Sequence, residues 1–255
     1  MQVIAVINQK GGVGKSTTSL SIGAGFTLKG YKVLYIDLDA QGNLSYTLKA
    51  SNNGCNAMKV LQNPETIRKE IKTTLQGDVI ASSPSLSGAD SLLIETGKEY
   101  RLKESLEFIS DLYDYVIIDT PPSLGILTIN ALTASDGVLV PSCADIYSLQ
   151  GIMQLKGTIE TVRKYCNNSL KILGIILTRY NSRTIISREV TEMLEQMARQ
   201  LNTKLYRIKI RECTAIKEAQ VMRKSIFEYA PKSNASSDYK ALVEEIIKEE
   251  MKNNE

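Results

Sequence analysis

A short apolar run, Val3-Ile4-Ala5-Val6-Ile7, breaks into Asn8-Gln9-Lys10-Gly11-Gly12-Val13-Gly14-Lys15-Ser16-Thr17-Thr18, and no other stretch constrains the chain so strongly. The pattern predicts a buried strand, a glycine-rich loop and the first turn of a helix. Glycines let successive backbone N–H groups converge without a Cβ in the way, so the loop and the helix N-terminus form a nest for polyphosphate. In such a nest Lys15 neutralises the outer phosphate oxygens and the Ser16 hydroxyl ligates magnesium. Two other readings stand beside this one. The first is a glycine-rich turn that caps a helix and binds nothing. The second is a dinucleotide fingerprint, since Gly12-x-Gly14 followed by Asp37 imitates that spacing. Thr17 stands where the dinucleotide pattern needs its third glycine, and Lys15-Ser16 is the pair that phosphates require, so the residues favour a nucleoside triphosphate.

The 255 residues suffice for one large α/β domain, expected to span 1–255. With 43% hydrophobic and 23% charged residues, the composition is that of an ordinary globular protein. No run approaches the roughly 20 apolar residues of a membrane span, and the N-terminus enters a strand directly instead of an export signal, so a cytoplasmic protein is expected. Cys55, Cys143, Cys166 and Cys213 have no paired spacing, and there is no histidine to complete a zinc site. The missing histidine also removes Ser-His and Cys-His nucleophiles, which leaves carboxylates, lysines and a metal to carry any catalysis. A formal charge of only +3 means that nucleic-acid affinity would have to come from a local patch.

Along the chain, strand and helix patterns alternate. A helix is expected over Ser16–Leu28 with Gly30 as its stop, and a strand over Lys32–Asp37 delivers Asp37-Leu38-Asp39 at its carboxyl end, where ligands bind in open α/β sheets. Both carboxylates can approach the magnesium and the attacking water there. Residues 49–76, with turn signals at Asn52-Asn53-Gly54 and Asn63-Pro64, read as short surface helices. A short strand at Asp78–Ala81 and helices at Ser87–Leu93 and Glu99–Ile109 precede Tyr115-Val116-Ile117-Ile118-Asp119, an apolar strand that ends in an acid. Asp119 is placed to hold magnesium through water. Further strands are expected at Asp136–Pro141, closed by the proline, and Leu170–Thr178, with a helix at Ser148–Tyr165 between them. The last helix, Ser237–Met251, opens on Ser236-Ser237-Asp238 as caps and turns Leu242, Ile246 and Ile247 to the core. Such alternation predicts a mostly parallel, twisted sheet flanked by helices on both faces.

The loop spells K-G-G-x-G-K-[ST] rather than the ordinary G-x-x-x-x-G-K-[ST], with Gln9 where a glycine would stand and an extra lysine at Lys10. This resembles the deviant P-loop NTPases of the MinD/ParA superfamily, and most closely the ParA/Soj partition ATPases. Asp37-Leu38-Asp39-Ala40-Gln41-Gly42-Asn43 is similar to that family's D-x-D-P-Q-G-N first switch, with Ala40 for proline. Asp119-Thr120-Pro121-Pro122-Ser123-Leu124-Gly125 matches its second switch. The resemblance implies an ATPase that uses ATP and Mg2+, with slow intrinsic turnover. Lys10, Lys15 and Asp39 would act in catalysis. Gly11, Gly12, Val13, Gly14, Ser16 and Thr17 would cradle the phosphates, and Ser16, Asp37, Asp39 and Asp119 would serve the metal. The extra lysine would reach the phosphates of the partner subunit in an ATP-bound homodimer.

From Arg199 onward basic residues gather, and such a surface can neutralise backbone phosphates without reading sequence. Lys204, Arg207, Lys209, Lys217, Arg223 and Lys224 are the candidates, with Arg183 from the family's S-R-T segment. The family's I-P-R-N-V-R-L-S-E-A-P stretch reads Ile210-Arg211-Glu212-Cys213-Thr214-Ala215-Ile216-Lys217-Glu218-Ala219-Gln220 here. Arg211 and Cys213 therefore stand at its base-holding positions, and Pro231 lies in the similar Y-x-P-x-S segment. The partners implied are nonspecific double-stranded DNA, and hence the nucleoid, and a ParB-like (Spo0J-like) activator. A MinD-like membrane partner would require basic residues opposite the apolar face of the last helix, and glutamates stand there. A reductase like the nitrogenase iron protein would need cluster-ligating cysteines. No residue separates plasmid or chromosome partition from the positioning of another cargo.

Overall fold

The computed structural model describes residues 1–50 and 56–253. Seven strands form one sheet among these residues: β1 (Gln2–Val6), β2 (Val33–Asp37), β3 (Ile71–Thr74), β4 (Gly77–Ile80), β5 (Tyr115–Asp119), β6 (Gly137–Cys143) and β7 (Lys171–Thr178). Their order is β3-β4-β2-β5-β1-β6-β7, with every neighbouring pair parallel except β3 and β4. The helices are α1 (Lys15–Leu28), α2 (Asn43–Thr47), α3 (Ala57–Gln62), α4 (Ile67–Glu70), α5 (Ala89–Leu92), α6 (Arg101–Glu107), α7 (Ile126–Ala134), α8 (Ile146–Tyr165), α9 (Ile185–Gln200), α10 (Thr214–Val221), α11 (Ile226–Tyr229) and α12 (Asn234–Asn253).

The period of two along β1 assigns the two faces of the sheet. Ile4 and Val6 pack with Leu20, Phe26, Leu242 and Ile246, so α1 and α12 cover one face. Val3 and Ala5 pack with Leu61, Leu102 and Ala131, and Ile7 with Ile152 and Leu194, so α3, α6, α7, α8 and α9 cover the other. Both faces being covered explains why β1, β2 and β5 are continuous apolar runs with no polar alternation. The contact between α1 and β2 is close: a Cβ at Gly23 would stand 2.3 Å from the ring of fully buried Tyr35.

Several expectations shift in the folded chain. The 49–76 stretch forms α3 and α4, but Met58, Val60, Leu61 and Ile67 are buried in the core rather than lying on the surface. It also supplies the antiparallel edge strand β3, joined through Leu75-Gln76 to Gly77 at the start of β4, which takes a φ of 126°. The Asn52-Asn53-Gly54 signal and Cys55 lie outside the described residues. Pro141 does not close its strand, because β6 runs on to Cys143 beside β7 after its pairing with β1 has ended at Leu139. A missing N–H there interrupts no ladder to β1. The last helix begins earlier than predicted. Asn234 opens α12 and the Ser233 hydroxyl accepts the Ser236 N–H at 3.2 Å, so Ser236, Ser237 and Asp238 are helical residues and not caps. Leu242 and Ile246 are buried and Ile247 is partly so.

Candidate nucleotide-binding site

The glycine loop, Asp39 and Asp119 come together because β1, β2 and β5 are adjacent and parallel and all end at one edge of the sheet. Register pairs Asp119 with both Val6 and Asp37. The loop leaves β1 through Asn8, whose side chain donates to the Pro141 carbonyl at 2.8 Å and accepts the Lys10 N–H at 2.9 Å. Gly12 and Gly14 take φ values of 77° and 83°, which a residue with a Cβ adopts only under strain. The Thr178 hydroxyl, at the end of β7, donates to the Val13 carbonyl at 2.8 Å and fixes the loop from below. Lys15 is buried in the first turn of α1, and its Nζ donates back to the Lys10 carbonyl at 3.3 Å. Burial lowers the Lys15 pKa, and the nearby Asp119 and Asp39 carboxylates oppose that shift.

Asp119 is fully buried and accepts the Ser19 hydroxyl at 3.0 Å on Oδ1, while Oδ2 has no hydrogen-bond partner among the described residues. Burial, then the charge of Asp37, raises the Asp119 pKa, and the hydroxyls of Ser16 and Ser19 and the Lys15 ammonium pull it back. An acid held this way gains by meeting a cation. Asp37 is equally buried, but its oxygens are occupied. Oδ2 accepts the Ser45 N–H and hydroxyl at 2.8 and 2.6 Å, and Oδ1 accepts the Asp39 N–H at 3.2 Å. It does not line the cavity, and through these contacts it braces the turn that carries Asp39. Asp39 is partly exposed, lines the cavity and accepts the Gln41 N–H at 3.0 Å.

One cavity of about 800 Å³ joins these parts. It brings Gly11, Gly12, Gly14, Lys15, Ser16, Thr17 and Asp39 together with Arg211, Cys213, Lys217 and Lys224. Val13 is buried beneath it, and Pro231 is exposed and does not line it. Lys10 lies outside the lining, its Nζ 2.6 Å from Asp145 Oδ1. Burial alone would raise the Asp145 pKa, but Lys10 and the N–H and hydroxyl of Ser148 outweigh it and lower the value.

The basic residues differ in how their charges are engaged. Lys204 is paired with Glu249 and lies over the Tyr206 ring, and Lys209 lies over the Tyr180 ring at 4.6 Å. Arg211 is held in a two-pronged contact by Asp238, at 2.9 and 2.6 Å. Arg223 stacks on Tyr46 and donates to its carbonyl at 2.8 Å, and Lys224 pairs with Glu228 at 2.9 Å. Arg183, Arg207 and Lys217 are exposed.

Four residues that the sequence did not single out also shape the site. Ser19 holds Asp119, Gln220 donates to the Thr17 hydroxyl at 2.8 Å, Tyr239 meets Thr18 at 3.2 Å, and Arg179 lines the cavity and pairs with Glu212 at 3.1 Å. Only Arg179 carried a readable signal, its place just past the carboxyl end of a parallel strand.

Similarity to known proteins agrees with this geometry. The family model described as "AAA domain" matches residues 1–172. The sporulation initiation inhibitor protein Soj of Bacillus subtilis is 39% identical, over 96% of this chain and 98% of Soj. The crystal structure of cobyrinic acid a,c-diamide synthase from Mycobacterium smegmatis with a bound ATP analogue and magnesium is 33% identical, over 96% of this chain and 93% of that one, with a TM-score of 0.82. A putative plasmid partition protein of Borrelia burgdorferi bound to AMPPNP superposes with a TM-score of 0.76 at 26% identity, over 93% of this chain and 98% of that one. With a Soj relative matched along nearly its whole length, and the glycine loop and both acid-bearing strand ends in place, this chain belongs to the ParA/Soj family of partition ATPases.

Proposed function

We propose that the protein is an ATP hydrolase of DNA partition: an ATP-bound dimer binds nonspecific double-stranded DNA and leaves it when hydrolysis, stimulated by a ParB-like partner, breaks the dimer. The observation that carries the reading is the cavity that gathers Gly12, Gly14, Lys15, Ser16 and Asp39, with the buried Asp119 carboxylate close to Lys15 and Ser16 behind it. The loop N–H groups and Lys15 bind the phosphates of ATP and offset charge that develops during phosphoryl transfer. Asp39, on a turn at the cavity edge, orients the attacking water. Lys10 adds its charge to the partner's phosphates once the dimer forms.

The residues fit a magnesium ion. Ser16 and the partnerless Oδ2 of Asp119 would hold it, Asp119 through water, and an ion retaining several waters and phosphate ligands needs no acidic cage. When bound, it supplies charge neutralisation at the phosphates. The nucleotides and magnesium of the structural relatives support this assignment. The basic residues that keep their charge exposed, Arg183, Arg207 and Lys217, support a backbone contact with DNA. Partition is preferred over the amidation chemistry in the M. smegmatis relative's name because the Soj match is stronger in identity and equal in coverage of this chain.

Sedimentation with ATP against ADP tests the cycle, using Asp39→Ala to trap the ATP state. A dimer with ATP only is expected. A variant that stays monomeric in saturating ATP would overturn the dimer mechanism for this protein.

A further inference from the structure

Ser82 stands just past β4, the neighbour of β2 on the side away from β5, and it is buried. Its hydroxyl donates to the Asp39 carbonyl at 2.5 Å, which also accepts the Gly42 N–H at 2.8 Å. Its own N–H donates to the Ser45 hydroxyl at 2.8 Å, and that hydroxyl donates to Asp37 Oδ2 at 2.6 Å. Since the Asp39 N–H donates to Asp37 Oδ1, the residue is gripped on both sides, by Asp37 at its N–H and by Ser82 at its carbonyl. The segment that carries Ser82 is itself anchored at its far end. Asp90 Oδ1 accepts the Ile126 N–H at 3.0 Å, at the start of α7, directly after the Pro121–Gly125 loop.

We propose that Ser82 is a positioning residue for ATP hydrolysis, fixing the Asp39 turn through the Asp39 carbonyl so that the Asp39 carboxylate is aimed at the attacking water. The proposal rests on the reading of Asp39 given above. A carboxylate on a surface turn gains reactivity only if its backbone cannot drift, since misplacement by about 1 Å costs on the order of 10²-fold in rate. The Ser82 hydroxyl supplies that constraint from a rigid strand end. Asp39 sets the geometry at the water, and Ser82, which does not line the cavity, acts through it.

The test is ATP turnover, by steady-state and single-turnover phosphate release, for Ser82→Ala, Ser82→Thr, Asp39→Ala and the double variant, each verified as folded by thermal melting. We expect Ser82→Ala to lower kcat about tenfold while KM stays within about twofold, and Ser82→Thr, which keeps the hydroxyl, to regain most of the loss. In the Asp39→Ala background the Ser82 substitution should have no further effect, because its route of action is gone. An unchanged kcat in Ser82→Ala, a loss expressed only in KM, or a tenfold loss repeated in the Asp39→Ala background would each overturn the proposal while leaving the ATPase reading intact. Full turnover in Asp39→Ala would instead remove the assigned role of Asp39, and the Ser82 proposal with it.

Discussion

Lys10 Nζ lies 2.6 Å from Asp145 Oδ1, so the lysine that sets this loop apart is held by an acid of its own chain. Asp145 is also the N-cap of α8 and accepts the Ser148 N–H at 3.0 Å. An asparagine there keeps the cap and removes only the ion pair. For Asp145→Asn we expect unfolding free energy to change by less than about 1 kcal/mol, since both side chains are about a third exposed. ATP-dependent dimerisation should shift to up to about fivefold lower protein concentration, because the lysine no longer has to leave a partner. Thermal melting and sedimentation equilibrium read the two arms separately.

Lys10→Ala should leave nucleotide affinity within about threefold, because the side chain does not line the cavity. Dimer formation or hydrolysis should fall by at least about tenfold. Titration with a fluorescent ATP analogue, beside sedimentation and phosphate release, checks the division. A complete loss of nucleotide binding would place the lysine in its own subunit's site.

Asp119→Asn keeps an acceptor for Ser19 but loses the charge on the partnerless oxygen. The fold should survive, and magnesium-dependent turnover should drop by about 10²-fold or more. Phosphate release across a magnesium titration measures this, with a thermal melt as the control for folding.

Gly23→Ala tests the contact between α1 and β2. Alanine gains helix propensity, by up to about 1 kcal/mol over glycine. Its Cβ would meet the Tyr35 ring at 2.3 Å, in a core with no room to yield. Overpacking of this kind costs about 1–3 kcal/mol, so net destabilisation is expected in a urea titration.

Arg183 and Lys204 should respond differently to salt. Arg183 is exposed and its backbone N–H donates to the Asn181 side chain, whereas the Lys204 charge already faces Glu249. Arg183→Ala should reduce the slope of log affinity for duplex DNA against log salt by about one. Lys204→Ala should leave the slope unchanged and lower the melting temperature. Fluorescence anisotropy over a salt series with ATP present measures both.

The phosphate loop, the acid at each strand end and the alternating strands and helices were all legible because each is a local pattern. A glycine spacing, an apolar run or a terminal aspartate carries its meaning within a few residues. The edge strand β3 was not legible, because Ile71–Thr74 is short and polar and becomes a strand only by pairing with β4. The start of α12 was misplaced for a related reason. Ser233, Ser236, Ser237 and Asp238 are all cap-type residues within six positions, and the fold alone selects Ser233 and gives Asp238 to Arg211.

By itself, then, the sequence determined what the glycine loop brings to the cavity. Backbone N–H groups, one lysine and one serine within a single turn need no distant partner to be in place. The tertiary structure decided which charges are free to act. It bonded Asp37 to Ser45 and Asp39, tied Lys10 to Asp145, Arg211 to Asp238 and Lys204 to Glu249, and left one oxygen of Asp119 without a hydrogen-bond partner among the described residues. The physical reason is range: a charge is engaged by whatever lies within a few ångströms of it, and here those neighbours come from about 30 to 135 positions away along the chain for three of the four pairs, set by the fold and not by local spacing.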